Sequence, residues 1–267
     1  AGVDIRYESP VARIELESAA NGLKATGVEL ASGEKILADR VVSATDPKRT
    51  FRDLVGFANL DIGFSNRVHR LRSDGLVAKL HLALTELPDF AGLERPDGRL
   101  IIAPSLDAIE FAYDDTKYGL PSEAPVIEIA FPSLHDEALA PEGHHVLSAH
   151  VMYVPYKHKQ GWTEQARQAL AESVLSSIEA YAPNLRTHIV GQEILTPLDI
   201  EERFHATGGH WHHAEFAMDQ MLMMRPTYDA AQYRCPIENL FLSSAGCHPG
   251  GDLVGAPGLN AAREILR

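Results

Sequence analysis

The chain has 267 residues, 45% of them apolar, and carries a formal charge of −13 at pH 7. That length suffices for one large or two modest domains with a buried core. No stretch approaches the roughly 20 consecutive apolar residues that a membrane-spanning helix needs, so we expect no transmembrane segment, while a peripheral membrane contact stays open. An acidic surface repels phosphate backbones, so we expect no nucleic-acid partner.

The two cysteines indicate the cellular compartment, and the first residue indicates whether the chain is part of a longer protein. Cys235 and Cys247 form no CxxC motif, and no secretory segment precedes them. This usage indicates a reducing compartment, and the cytoplasm is the expected location. The sequence starts at Ala1 rather than at a methionine and soon enters a strand-like pattern. We therefore expect a fragment of a longer protein.

Strand-like runs come first, at residues 11–16, 25–30 and 35–44, with turn signals at Asn21-Gly22 and Ser32-Gly33. The pattern predicts a small meander. The last run ends in the apolar sequence ADRVVSA, which is typical of a strand covered on both faces, as in a parallel sheet. Thr45-Asp46-Pro47 then ends the strand and begins a short helix.

The middle of the chain predicts further strands and one clear helix. Strand candidates lie at residues 76–84, 100–103, 126–131, 146–154 and 189–195. The helix is predicted over 163–182, where Thr163 can cap the start and Pro183 follows the end. Its apolar face comprises Ala166, Leu170, Val174, Ile178 and Tyr181. These elements predict a mixed β-sheet with helices on one face.

The C-terminal stretch combines a short strand, a glycine-rich loop and a helix. The strand is predicted at residues 240–243, and the helix begins at about Gly258. A helix N-terminus presents unpaired N–H groups and the positive end of its dipole, so this arrangement suits an anion or a cofactor. A purely structural turn is the alternative, because short glycine motifs occur often without a ligand.

The segment LFLSSAGCHPGGDLVGAPGLNAAREIL resembles the C-terminal signature of the phytoene desaturase-like flavoproteins. Three further stretches are similar to that family in the same order: VARIELESAANGLKATGVELASGEKILADRVVSATDP, GGHWHHAEFAMDQMLMMRP and YRCPIENLFL. Two departures stand out, since Ser244 replaces a usual glycine and Asp252-Leu253 replaces a usual Gly-Val. The family's N-terminal GxGxxG unit, which holds the pyrophosphate, has no counterpart in this sequence.

The resemblance implies an α/β (α+β) fold with a divided FAD-binding domain. Residues 1–45 would be the remnant of the FAD-binding domain, residues 46–236 the substrate-binding domain, and residues 237–267 the last FAD-binding strand, loop and helix. ADRVVSA and LFLSS are expected to be parallel neighbours. The resemblance assigns FAD contacts to Gly246, His248, Gly250, Gly251, Asp252, Leu253, Gly258, Asn260 and Ala261. Without the GxGxxG unit, we expect this chain alone to bind FAD weakly or not at all.

Histidines and methionines near residue 215 carry alternative interpretations. His205, His210, His212 and His213 invite a metal site, but no neighbouring Cys or acidic set completes one, so we expect no metal. The resemblance makes His212 and His213 candidate catalytic residues beside the flavin; a structural role is the alternative.

The candidate substrate-binding residues for an apolar ligand are Phe216, Met218, Met221 and Met223, with core packing as the alternative. Cys247 is either a redox thiol or a small buried residue.

Two functions from different classes remain. The first is the C-terminal portion of an FAD-dependent oxidoreductase that oxidises an apolar, isoprenoid or lipid-like substrate by hydride transfer to flavin. The second is a non-catalytic binding or scaffold module that keeps the fold without flavin. The chain alone is expected to be inactive under either hypothesis.

Overall fold

A computed structural model describes residues 2–251 and 254–267. Contacts divide the chain into two compact units, which we call unit 1 and unit 2. Unit 1 comprises Ala1–Ser73, His205–Thr207 and Trp211–Arg267, and unit 2 comprises Asp74–Phe204 and Gly208–His210. The bounds of these units differ from those of the functional division predicted from the sequence, which lie at residues 45/46 and 236/237.

The described residues form ten strands and five α-helices. In chain order, the strands are β1 (Val11–Ala19), β2 (Gly22–Leu30), β3 (Lys35–Leu37), β4 (Val41–Ser43), β5 (Val77–Leu84), β6 (Leu100–Ile102), β7 (Val126–Ala130), β8 (His145–Met152), β9 (Ile189–Leu195) and β10 (Leu240–Leu242). The helices are α1 (Ile62–His69), α2 (Leu106–Asp114), α3 (Glu164–Glu179), α4 (Pro197–Phe204) and α5 (Ala256–Ile265). A π-helical segment spans Arg49–Gly56, and short 3-10 turns include Met218–Gln220 and Leu222–Met224.

Unit 1 begins with the meander predicted from the sequence. Strands β1, β2 and β3 form an antiparallel three-stranded sheet in that order. The third predicted run, residues 35–44, splits into two strands. The Ala38 N–H still donates to the Thr26 carbonyl at 2.9 Å, whereas Asp39 and Arg40 are exposed and leave the sheet. Strand β4 therefore starts anew in a different sheet.

Strand β4 pairs with β10 in parallel, which confirms the predicted neighbours. Val41 lies opposite Leu240, and Ser43 lies opposite Leu242. All three residues of β10 are buried, which fits a continuous apolar run covered on both faces. The carboxyl ends of both strands therefore lie at the same edge, where the glycine-rich loop begins.

Unit 2 is built on a five-stranded sheet with the order β6-β7-β8-β5-β9. All four pairings are antiparallel, so the sheet that was expected to be mixed is antiparallel throughout its described strands. Each strand runs in the opposite direction to the strands beside it. Among the described residues, no crossover connects two parallel neighbours in this sheet.

Helix α3 packs on one face of this sheet. Thr163 caps it by accepting a hydrogen bond from the Ala166 N–H at 3.2 Å. The predicted apolar positions Leu170, Val174 and Ile178 are buried in the core of unit 2. Tyr181 lies beyond the last helical residue, Glu179, and is 43% exposed. No helix in the described part of the chain is long and apolar enough to cross a membrane.

Candidate functional site

The edge of unit 1 where β4 ends carries a network of hydroxyl groups and one buried carboxylate. The Ser43 and Thr50 hydroxyl oxygens lie 2.8 Å apart, and those of Thr45 and Thr50 lie 2.9 Å apart. The Asp46 carboxylate accepts from the Arg49 N–H at 2.9 Å, and from the N–H and the hydroxyl of Thr207 at 3.1 and 2.9 Å. Every oxygen of this carboxylate thus has a donor, which permits its burial.

The loop after β10 starts with a tight turn at Gly246. A Cβ atom at this residue would lie 2.6 Å from Cδ of Pro47, so only glycine fits. The Ser244 hydroxyl accepts a hydrogen bond from the Gly246 N–H at 3.1 Å. Ser244, one of the two departures from the resembling family, therefore supports the turn.

Side chains of unit 1 itself fill the space beside Gly250 and Gly251. A Cβ at Gly250 would lie 2.8 Å from Nε of Arg225 and 2.9 Å from the Phe216 ring, and a Cβ at Gly251 would lie 3.2 Å from that ring. Both glycines also have positive φ angles, 77° and 59°. The structural alternative therefore accounts for glycine at these two positions.

Gly258 differs from these glycines. It lies in the first turn of α5, a substituted Cβ would meet nothing within 4 Å, and its φ is not in the left-handed region. Neither packing nor backbone conformation within the described residues requires glycine there. In addition, no described side chain caps the N-terminus of α5, which begins after Gly255. A helix start with open space and uncapped N–H groups fits the polar edge of a cofactor.

Tyr233 connects the loop to α5. Its hydroxyl donates to the His248 carbonyl at 2.7 Å and accepts from the Asn260 side-chain amide at 2.8 Å. Ala261, in the same helix, is buried at 1% exposure. The predicted site residues Gly246, His248, Gly250, Gly251, Gly258, Asn260 and Ala261 thus belong to one loop and helix, while Asp252 and Leu253 lie outside the described residues.

Arg225 is the buried centre of this region, with 1% exposure. Its guanidinium donates at 2.6–3.3 Å to five backbone carbonyl oxygens, those of His212, Ala214, Glu215, Gln220 and Ala245. The guanidinium carbon lies 4.4 Å from the centre of the Phe216 ring. No described carboxylate pairs with Arg225, so backbone dipoles stabilise the charge. Arg225 fixes segment 212–220 against the start of the glycine loop.

His212 and His213, the candidate catalytic residues, lie within the segment that Arg225 holds. His212 Nε2 accepts from the Trp211 indole N–H at 3.2 Å, and its ring contacts the Phe216 ring edge-to-face at 5.1 Å. Nδ1 of His213 is buried without a hydrogen-bond partner in the described residues. Burial lowers the pKa of His213, while the nearby Asp46 carboxylate opposes that shift. The His213 imidazole is therefore neutral at neutral pH.

The methionines of this segment are exposed in this chain and do not pack in its described core, whereas the Phe216 ring packs beside Gly250 and Gly251. Exposure is 42% for Phe216, 96% for Met218, 37% for Met221 and 74% for Met223. The segment forms short 3-10 turns whose apolar side chains point outward. Its polar residue Gln220 is the buried one, and the Gln220 amide oxygen accepts from the Arg72 N–H at 2.7 Å.

Cys247 is a buried residue of unit 1, whereas Cys235 of the same unit is partly exposed. Cys247 has 0% exposure, and burial raises the pKa of its thiol to about 12. Burial also raises the pKa of Cys235. A protonated, inaccessible thiol is unreactive, which favours the buried-residue interpretation of Cys247. Among the described residues there is no group of three or more His, Cys, Asp or Glu side chains that could hold a metal ion.

Sequence reasoning missed three residues with unusual surroundings. Arg225 lies near the end of the stretch GGHWHHAEFAMDQMLMMRP, but nothing in the sequence indicates that its guanidinium is buried. Tyr233 lies in the YRCPI stretch, and its contacts join residues far apart in the chain. Lys79 lies in β5, where alternation places it opposite the core-facing residues Ala78 and Leu80. A lysine within a predicted strand was the feature of the sequence that could have drawn attention to it.

Comparisons with known proteins agree with the resemblance. The family model described as "Flavin containing amine oxidoreductase" matches residues 1–266. Mouse "Pyridine nucleotide-disulfide oxidoreductase domain-containing protein 2" is 35% identical over 278 residues, covering 100% of this chain and 47% of that protein. "Phytoene desaturase (lycopene-forming)" from Paracoccus sp. is 27% identical, covering 96% and 49%. The chain thus spans about half the length of the curated relatives it matches.

A solved structure shows the fold. An oxidoreductase from Methanosarcina mazei superposes with a TM-score of 0.57 at 16% identity, covering 96% of this chain and 48% of that one. The predicted fold class and the predicted family resemblance are both confirmed.

Replacing Arg225 with Met should destabilise unit 1. The change leaves five carbonyl oxygens, which lie in buried or partly buried hydrogen bonds, without their donor, and we expect the free energy of unfolding to fall by at least about 3 kcal/mol. Urea denaturation followed by circular dichroism measures it. Arg13→Met is the matched control, because Arg13 is an exposed surface arginine of the same unit and should change stability little. Equal stability of the two variants would contradict the role given to Arg225.

Proposed function

The chain belongs to the family of flavin containing amine oxidoreductases, and from this premise we propose that it forms one side of the FAD site of an oxidoreductase. Bound FAD would supply two-electron oxidation by accepting a hydride at its ring system. The chain's own part is to bind and orient the cofactor through the glycine loop and the N-terminus of α5.

Gly258 and the start of α5 carry this proposal. Glycine at this position is unexplained by packing or backbone conformation in the described residues, and the first turn of α5 has no side-chain cap. A ligand that lies against the helix start explains both features, because it needs the space of a missing side chain and accepts hydrogen bonds from the N–H groups. Gly246, His248, Gly250, Gly251, Asp252, Leu253, Asn260 and Ala261 complete the proposed cofactor-binding set.

The functional division of the chain follows as part of the proposal. Residues 1–45 and 237–267 would serve the cofactor, since they contain β4, β10, the loop and α5. Residues 46–236 would serve the substrate. His212 and His213 stay the candidates for catalysis, and the neutral imidazole of His213 suits a position that needs no fixed charge.

The pyrophosphate of FAD needs a further site, which we propose lies outside these 267 residues. The sequence has no GxGxxG motif, and the relatives are about twice as long as the chain. Charge-assisted hydrogen bonds contribute roughly 1.5–3 kcal/mol each. Lacking about three of them would weaken binding by about 5 kcal/mol, or more than a thousandfold. The charge of −13 adds long-range repulsion of a dianion.

The purified 267-residue chain should therefore fail to saturate with FAD at low micromolar concentration. The measurement is a titration followed by quenching of flavin fluorescence. Saturation in that range would show that the chain itself carries a sufficient pyrophosphate site, and the proposed division of the cofactor site would be wrong.

Gly258→Leu should remove flavin from the protein expressed from its complete coding region. A leucine side chain would occupy the proposed position of the cofactor, while the helix itself should tolerate it, because leucine favours helices and no described atom outside the backbone of α5 lies within 4 Å of the added Cβ. Flavin absorbance per protein after gel filtration gives the occupancy, which we expect to fall at least tenfold. Ala262→Leu adds the same bulk at an exposed position of α5 and should keep the flavin. Equal flavin content in both variants would refute the contact.

For the substrate, we propose an apolar molecule that contacts the exposed segment 216–224. Monomeric proteins seldom expose several neighbouring apolar side chains without a binding role, and methionine adapts to apolar ligands of irregular shape. Phe216, Met218, Met221 and Met223 are exposed together. The name of the Paracoccus relative gives phytoene as its substrate, which makes an isoprenoid the first class to test.

Met221→Asp combined with Met223→Asp should weaken binding of phytoene to the complete, flavin-loaded protein at least tenfold, because two charges would replace apolar contacts. Binding is measured by co-sedimentation of the protein with phytoene-loaded liposomes, against liposomes without phytoene. Ile62→Asp is the control: Ile62 is 73% exposed in the first turn of α1, where a negative charge is tolerated. Undiminished binding by the double variant would exclude this segment.

The non-catalytic module is the competing hypothesis, and flavin content separates the two. Two departures from the family, Ser244 and Asp252, suit the module; the Ser244 hydroxyl stabilises the turn at Gly246, and Asp252 lies outside the described residues. The oxidoreductase is therefore the better-supported function. Complete protein that carries no flavin after reconstitution with FAD would favour the module instead.

A further inference from the structure

The sheet of unit 2 has a polar row on the face opposite its core. Glu128 of β7, His150 of β8 and Lys79 of β5 are direct cross-strand partners. In the next row on the same face, Ser148 of β8 pairs with His81 of β5. Polar side chains are usual on the solvated face of an antiparallel sheet, but the side chains of these two rows are only partly exposed, and burial disfavours charge. This row therefore calls for an explanation.

Lys79 is partly buried and lacks a counter-ion. Its ammonium donates to the Ser148 hydroxyl oxygen at 2.8 Å, and no described carboxylate forms an ion pair with it. Burial lowers the pKa of Lys79 to about 8. An ammonium has three N–H donors, so two of them remain available for a ligand.

The carboxylates near Lys79 are paired with other cations. Glu128 lies 3.2 Å from the Arg99 guanidinium and 3.6 Å from Nδ1 of His150. Glu193, the cross-strand partner of His81, lies 2.8 Å from the guanidinium of Arg203. Among the described residues, Lys79 thus has no carboxylate within ion-pair distance, although the charge of Glu128 acts on it from farther away.

We propose that Lys79 and Ser148 bind the carboxylate of an amphipathic monocarboxylic acid. The ammonium would pair with the carboxylate, and the hydroxyl of Ser148 would orient the ammonium. An oxyanion at this point completes the hydrogen bonding of Lys79 and neutralises its charge. The site belongs to unit 2 alone and does not depend on the proposed flavin.

The neighbouring groups favour a monoanion with an apolar tail. Glu128 and Glu193 would repel a dianion such as a phosphate monoester, which also prefers several donors or a guanidinium fork. The row beside Lys79, two residues along each strand and about 7 Å away, is apolar and comprises Val77, Met152 and Val126. A carboxylate at Lys79 therefore places an attached hydrocarbon chain against Val77 and Met152, which are partly exposed.

The site has a defined pH dependence. The titratable and charged groups that face Lys79 are His81 on its own strand, His150, Glu128, Arg99, Glu193 and Arg203. Burial lowers the pKa values of both histidines below 6.5, so of these groups only Lys79 titrates between pH 7 and 9.5. Only the protonated amine binds a carboxylate. The affinity is therefore nearly full at pH 7, about half at pH 8, and approaches a tenfold fall for each further pH unit above that.

Isothermal titration of the 267-residue chain with octanoate tests the proposal. At pH 7 we expect one binding site, at least tenfold weaker in Lys79→Met and for 1-octanol in place of octanoate. Lys79→Arg should keep the affinity, because the guanidinium retains the charge. Lys159→Met, which changes an exposed lysine of the same unit, is the matched control and should bind like the wild type. Circular dichroism confirms that each variant is folded.

Raising the pH to 9.5 gives the second readout. The wild type should lose about thirtyfold in affinity, as expected for a pKa near 8, whereas Lys79→Arg should lose almost none. Octanol binding as tight as octanoate binding, an unchanged affinity in folded Lys79→Met, or a pH dependence that persists in Lys79→Arg would each overturn the proposal. Absence of octanoate binding to the wild type at pH 7 would overturn it as well. None of these outcomes bears on whether the protein binds FAD.

Discussion

The buried guanidinium of Arg225 is the interaction on which the candidate cofactor side of the molecule depends. A cation is removed from water there without a carboxylate, and five backbone carbonyl oxygens replace its hydration. Four of these carbonyls lie between residues 212 and 220, and the fifth belongs to Ala245 at the start of the glycine loop. One side chain thereby fixes two segments that contain neither a β-strand nor an α-helix. The same residue stacks on Phe216, which packs against Gly250 and Gly251.

Local sequence patterns predicted the regular elements that follow a single rule. Helix α3 has a capping threonine and a stripe of buried apolar residues, and β4 and β10 are short apolar runs that pair in parallel. Helix α2 was not predicted from the sequence. Its apolar residues Leu106 and Phe111 are 84% and 68% exposed, so the helix lacks the regular stripe of core-facing apolar residues that identified α3. Apolar residues that face solvent do not mark a buried stripe. The split between β3 and β4 was missed for a related reason: exposed Asp39 and Arg40 interrupt a run whose two parts join different sheets.

The candidate site was predictable as a motif and unpredictable as a set of contacts. The glycine spacing and the family resemblance indicated the loop and the helix after it. They could not separate glycines that make room for the protein's own side chains from those that leave open space. Gly250 lies against Phe216 and Arg225, whereas no atom of the described residues outside the backbone of α5 would lie within 4 Å of a Cβ at Gly258. Segment 216–224 illustrates the same limit, since a cluster of methionines reads alike whether it is buried or exposed, and only the placement of Gln220 and Arg225 decides it.

Arg225 is buried and Lys79 is partly exposed, and these two cations differ in how the protein compensates their charge. Five carbonyl acceptors satisfy the guanidinium of Arg225, so a ligand would have to displace bonds that hold the backbone. Lys79 has a single hydroxyl partner, and burial lowers its pKa to about 8 although the charge of Glu128 opposes that shift, so its charge is only partly compensated. Burial of a cation is expensive in both places. Where the protein supplies full compensation, as at Arg225, the charge organises the fold; where it supplies one hydrogen bond and a more distant carboxylate, as at Lys79, a bound anion or loss of the proton can supply the rest.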